Sequence, residues 1–275
     1  MFGFKKRRRE KIRKRPIAPE WLETLEKNVP IYRRLSQADK EELQGHVLVF
    51  LAEKNFEGCG GLELTDEIKV TIAAQACILL LHRKTDYYPG LYSILVYPGA
   101  FLATGYIQLT PGFHVATKQI HLGESWKHGS LILSWDDVLA NASDIHDGHN
   151  VVLHEFAHQL DSEDGSTNGA PPLPRRSMYV AWARILSRDF LRLRREAEQG
   201  LSSVLDQYGA TNPAEFFAVA TECFFEKPLQ LQSQHPELYE NLKLYFEQDP
   251  ARFAPEGEQL ESGEGRDKIQ TLSTC

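Results

Sequence analysis

The sequence predicts an α+β fold, mostly helical, with a small mixed β-sheet beside one helix that carries paired histidines. Three observations point there. Apolar residues recur at helical spacing over most of the chain. One block, Ser93 to Trp135, switches to short β-rich runs bounded by Gly and Pro. Within the apolar run Val151 to Asp161 lie His154, Glu155 and His158, a His-Glu-x-x-His pattern.

Taken in order, residues 1–18 form a basic leader, nearly all Lys or Arg from Lys5 to Arg15, expected to be disordered and solvated. A single domain follows at 19–254, with a helical N-terminal part over 19–90 and a catalytic core over 91–254. Pro19 to Ala52 is helical in pattern, with Trp21, Leu22 and Leu25 in register. Ser36 is a suitable N-cap, with Asp39 three residues on as a capping-box acid. Gly58, Gly60 and Gly61 break the chain, and Leu62 to Leu64 reads as a short strand. Asp66 to Leu81 is a helix through Ile68, Ile72, Ala76 and Leu79. Runs at 94–97, 106–109, 119–122 and 131–135 make a sheet of three to five strands. A short helix is expected over 136–142, then the paired-histidine helix, then a polar loop from Ser162 to Pro174. Further helices are expected over 175–199, 213–225 and 236–246, with Pro228 ending the second of these. The Gly/Glu/Ser-rich stretch 255–275 reads as a flexible tail.

Composition narrows the function. Of 275 residues, 42% are hydrophobic and 25% charged, as in ordinary globular proteins. A net charge of -7 argues against direct nucleic-acid binding. No apolar run reaches the ~18 residues of a membrane span, and no apolar segment follows the basic start as in a secretory signal. Cys59, Cys77, Cys223 and Cys275 are far apart and read as reduced thiols. A cytoplasmic location is therefore expected.

His154 and His158 are four residues apart and share a helix face, so both can hold one metal ion with Glu155 beside it. Zinc bound this way lowers the pKa of its water from 15.7 to about 7. A catalytic zinc takes a third protein ligand and keeps one position open. Gly at 161 and His at 164 would complete the metzincin pattern, but Asp161 and Asp164 stand there, which excludes that class. Asp161 is a conceivable ligand and a more natural acceptor for an imidazole N–H. The apolar run Asn212 to Phe225 holds Glu215 and Glu222, seven apart and so on one face. One of them binding the metal and the other supporting a ligand histidine would offset the cost of burying both, and Glu215, just after Pro213, is the better candidate ligand. His114, His121 and His128 match no metal spacing.

The stretch His154 to Asp161, with Asp206 to Tyr208 and Asn212 to Val219, resembles the Mlc titration factor (MtfA) family of zinc metallopeptidases. The likeness covers most of the chain, including Tyr97-Pro98 and Trp135-Asp136, and is weakest before Glu20 and after Pro255. In its zinc core that family resembles the catalytic domain of anthrax lethal factor. The resemblance implies a gluzincin arrangement, with Glu215 as third ligand, Tyr208 as a catalytic tyrosine and one Zn²⁺ per chain. It implies hydrolysis of peptide bonds, with an aminopeptidase-like lean, and Glu155 as general base. It also implies an alternative, a regulatory protein that sequesters a Mlc-type transcriptional repressor, with hydrolysis secondary. Asp161 and Glu222 remain the candidates to support a ligand imidazole.

Overall fold

The computed structural model describes residues 2–99 and 129–253. Helices dominate: α1 (Phe2–Arg13), α2 (Pro19–Asn28), α3 (Pro30–Arg34), α4 (Gln37–Glu53) and α5 (Asp66–Ile78), then α6 (Trp135–Ser143), α7 (Val151–Asp161), α8 (Met178–Glu198), α9 (Pro213–Glu226), α10 (Pro228–Gln234) and α11 (Pro236–Phe246). Three strands, β1 (Asn55–Gly58), β2 (Ser93–Tyr97) and β3 (Ser130–Ser134), form a sheet in the order β1-β2-β3. Among the described residues both pairings are parallel, Asn55 opposite Ser93 and Ser93 opposite Ser130. The runs expected at 106–109 and 119–122, and His114, His121 and His128, lie outside the described residues, as does the tail 255–275.

Local signals set many boundaries. Ser36 accepts the Asp39 N–H at 3.2 Å and so caps α4. Pro19, Pro30, Pro213, Pro228 and Pro236 each open a helix at its first turn, where no N–H is needed. Ser36 thus starts a helix as expected, and Pro30 divides the helical stretch before it into two. Pro228 likewise begins α10 besides ending α9. Residues Leu62 to Leu64 are not a strand. The strand falls earlier, at β1, and a Cβ on Gly58 would lie 2.1 Å from the Leu62 carbonyl oxygen, so the chain turns back there too tightly for a side chain.

The leader expected to be disordered is instead helical in α1 and packed on α4. Ile12 is buried. The Arg9 guanidinium meets Glu53 at 2.9 and 2.7 Å, donates to Asp86, and lies 4.6 Å over the Tyr87 ring. Gly45 lets the α1 backbone approach α4, since a Cβ there would stand 3.2 Å from the Arg13 carbonyl. A run of like charge folds here because its acceptors, Glu53 and Asp86, come from distant parts of the chain.

The core lies behind α7. Ile94, Val96, Leu131 and Leu133 on one face of the sheet are buried, as are Val152, Phe156 and Ala157. Phe156 packs on Tyr88 and Phe50 at ring separations of 4.8 and 5.7 Å, tying α7 to α4. On the other side α9 is apolar nearly all round and lies against α7. Trp182 of α8 meets Phe217 of α9 and Tyr245 of α11 at 5.8 and 5.3 Å. α8 turns its Arg-rich face outward, as its amphipathic pattern predicts. No helix of the described residues is long and apolar enough to cross a membrane.

Candidate metal centre

Two helices build the site. On α7, Asn150 is the N-cap and accepts the Leu153 N–H at 3.0 Å, which starts the helix three residues before His154. On α9, Asn212 accepts the N–H groups of Ala214 and Glu215 at 2.9 and 3.1 Å, placing Glu215 in the first turn. The two helices pack so that the start of α9 faces the middle of α7.

Their side chains converge in a triangle. His154 Nε2 lies 3.0 Å from Glu215 Oε2, His158 Nε2 3.3 Å from the same oxygen, and the two Nε2 atoms 3.2 Å apart. Tetrahedral zinc with bonds of ~2.0–2.2 Å separates its ligand atoms by about 3.3–3.6 Å, slightly more than the sides of this triangle. Two imidazoles and a carboxylate are also a donor set suited to that ion. By residue type and spacing, this group of His154, His158 and Glu215 fits a divalent metal. The three are well buried, so an ion there would be shielded from bulk water on its protein side.

Two carboxylates aim the imidazole of His154. Glu222 Oε1 lies 2.6 Å from Nδ1, so Nδ1 donates and Nε2 keeps its lone pair toward Glu215 and His158. Burial works against a charged His154, but Glu222 and Glu215 together hold its pKa well above the usual value. A proton and a cation compete for the same Nε2, and the field that favours one favours the other. Burial lowers the His158 pKa. Burial acts to raise that of Glu215, yet its bonds to both histidines bring it down to about 2.

Glu155 is 5% exposed, and its Oε2 meets no protein hydrogen-bond partner. Burial, opposed by His154 and reinforced by Glu215 and Glu222, pushes its pKa up to about 7. A carboxyl titrating near neutrality is matched to proton transfer in either direction. The Tyr208 ring sits 6.0 Å from that of His154, on the 3₁₀ turn Gln207–Ala210. Burial and the charges of Glu215 and Glu155 raise its pKa to about 12, so its hydroxyl keeps a proton to donate. Gly209 lets this turn seat between α8 and α9, because a Cβ would stand 3.2 Å from both Leu193 and Val219.

The expected supports divide. Glu222 reaches an imidazole. Asp161 turns to the loop after α7, where its Oδ2 accepts the Gly169 N–H at 2.7 Å and its Oδ1 has no partner. Burial raises its pKa to about 6, against the N–H groups of residues 168–170, which lower it. Gly169 in turn lies so close to Pro213 that a Cβ would be 2.3 Å from the Pro213 carbonyl oxygen. The loop thus links the end of α7 to the start of α9.

Two residues that sequence reasoning passed over, Asn150 and Glu226, complete the frame together with Asp206, which the resemblance included without a role. Asn150 donates its backbone N–H to Glu222 Oε2 at 2.6 Å and its side-chain amide to Glu226 at 3.0 Å. Asp206 accepts the Tyr208 N–H at 2.6 Å and pairs with His149 at 3.3 Å. The spacing of Glu222 and Glu226, one turn apart on an apolar helix, was the available signal for Glu226. A second cluster, Asp39, Glu42 and His82, lies away from this centre on α4 and the turn after α5.

Residues 4–247 match the family model described as glucose-regulated metallo-peptidase M90. The chain is 43% identical over 247 residues to an uncharacterized protein of Synechocystis sp., covering 88% of this chain and 89% of the relative. It is 30% identical over 236 residues to the Mlc titration factor A of Yersinia pestis, covering 84% and 85%, and equally to that of Yersinia pseudotuberculosis.

Proposed function

The chain belongs to the glucose-regulated metallo-peptidase M90 family, and on that premise we propose that it is a zinc-dependent peptidase of the gluzincin type, with an aminopeptidase-like preference for short peptides. The observation that carries this reading is the triangle of His154, His158 and Glu215, with sides of 3.0 to 3.3 Å and a buried Glu155 next to it.

His154, His158 and Glu215 hold one Zn²⁺ per chain. When bound, zinc supplies Lewis acidity to a water molecule and to the scissile carbonyl. Glu155 accepts the proton from the attacking water and returns one to the leaving amine. Its elevated pKa of about 7 keeps both directions accessible. Tyr208 stays protonated and donates to the oxyanion that develops on the carbonyl. Glu222 fixes the His154 tautomer. β3, an edge of the described sheet beside α7, offers its backbone to an extended peptide. The compartment we assign is the cytoplasm.

Glu155→Gln tests the mechanism. The variant is expected to keep zinc close to one per chain by metal analysis and to lose about 100-fold or more of its peptidase rate. Hydrolysis at the wild-type rate would remove Glu155 from the mechanism. Profiling a peptide library with the zinc-loaded protein tests the aminopeptidase preference, since internal cleavage products would contradict it.

A second reading draws on the relatives named Mlc titration factor A. In it the chain binds a Mlc-like transcriptional repressor and hydrolysis is secondary. Retention of such a repressor by the inactive Glu155→Gln protein in a pull-down supports this role, and no retention by either form counts against it.

A further inference from the structure

The N-terminal helix is attached to the body by one face only. Arg9, Ile12 and Arg13 face α4, and Lys5 reaches Asp86 at 3.1 Å. At 100° per residue along α1, Phe4, Arg7 and Lys11 point the other way, Arg8 and Glu10 flank them, and Lys14 and Arg15 follow the end of the helix. All of these are exposed, Phe4 by 82%. None of these basic side chains has an ion-pair partner among the described residues. Residues 1–15 hold nine Lys or Arg against the single Glu10, in a chain whose net charge is -7, so the remainder is strongly acidic. Positive charge predominates on this outward surface, with Glu10 at its edge, and the Arg9 fork to Glu53 ties the helix to α4.

We infer that the outer face of α1 docks the protein on an anionic lipid surface. The helix is convex and about 18 Å long, and it offers no groove or sheet edge to a peptide. A planar array of negative headgroups can meet all the outward cations at once, each adding to the attraction. Phe4, near the N-terminal end of α1 on the same face, enters the interfacial layer, where aromatic rings partition well. Polyanions that wrap around a protein, such as nucleic acids, would also meet the acidic body and be repelled. A flat bilayer touches only the helix.

Co-sedimentation of the 275-residue protein with vesicles tests this. Vesicles with about 30% phosphatidylglycerol in phosphatidylcholine should retain it, and pure phosphatidylcholine should not. Raising salt from about 0.05 to about 0.5 M should release it. The triple variant Arg7→Glu, Arg8→Glu, Lys11→Glu should bind at least about tenfold more weakly, and Phe4→Ser about threefold. Lys14→Glu with Arg15→Glu lies beyond the end of α1, leaves the Arg9 and Ile12 contacts in place, and should also weaken binding severalfold. All variants should keep peptidase activity in solution. No retention on anionic vesicles overturns the inference, as does equal retention of wild type and charge-reversed variants. Capture by double-stranded DNA or polyglutamate without capture by vesicles would overturn it in favour of a soluble polyanion.

Discussion

Glu222→Gln replaces a carboxylate that accepts two hydrogen bonds of 2.6 Å, from His154 Nδ1 and from the Asn150 backbone. The side chain is 7% exposed, so water does not readily substitute for a lost partner. Glutamine keeps one acceptor oxygen and puts an NH₂ where the other was, so one buried donor must face another. Leaving such a donor unsatisfied costs about 1–3 kcal/mol. If the amide faces His154, the imidazole loses its orientation and zinc affinity falls about 10- to 100-fold, or roughly 1.4–2.8 kcal/mol. If it faces Asn150, the cost falls on the cap of α7 and appears as a lower Tm, by about 2–4 °C per kcal/mol for a protein of this size. Zinc affinity by competition with a chelating indicator, together with calorimetry of the zinc-free protein, captures both. A variant with zinc affinity within about twofold of wild type and an unchanged Tm would refute the claim that Glu222 positions His154.

Other consequences are as specific. Glu215→Ala should retain little zinc after dialysis, and full occupancy by metal analysis would move the third ligand elsewhere. Glu226 is buried, and burial pushes its pKa up to about 9, so folding favours its protonated form. The associated stability is complete below the ordinary carboxylate range and is lost as pH rises toward 9. Glu226→Gln removes that dependence, so its Tm advantage over wild type should grow from pH 5 to pH 8, and a shrinking advantage would contradict the assignment. Gly169→Ala meets both a φ of +78° and the Pro213 carbonyl, and should lower Tm by several degrees, about 2 kcal/mol or more, in thermal denaturation. Arg9→Ala should expose residues 1–15 to trypsin well before the rest of the chain is cut, and unchanged digestion kinetics would show that the Arg9 fork does not hold α1.

The features legible in the sequence are those whose cause is local. Helix caps at Ser36, Asn150 and Asn212 involve side chain and backbone a few residues apart, and only Ser36 was singled out beforehand. The pairing of His154 with His158 follows from 3.6 residues per turn whatever surrounds the helix. The pattern blurred where a proline or a packed loop intervened. Pro30 split an apparently continuous apolar stripe, and the Gly58 turn moved the first strand ahead of Leu62. The basic leader misled because composition records the charge of Arg9 but not the distance to Glu53 or Asp86.

By itself the sequence determined the paired-histidine helix, the apolar helix bearing Glu215 and Glu222, and the mostly helical class, because periodicity and capping act within a few residues. Only the tertiary structure decided which carboxylate meets Nε2 and which meets Nδ1, since seven-residue spacing puts both on one face without saying how α9 lies against α7. It likewise assigned Asp161 to the Gly169 loop, brought Asn150 between Glu222 and Glu226, set Tyr208 beside His154, and docked α1 on α4. Apart from the Asp161–Gly169 bond, each of these joins residues far apart in sequence, and it is the packing of large apolar faces, rather than any local preference, that brings them together.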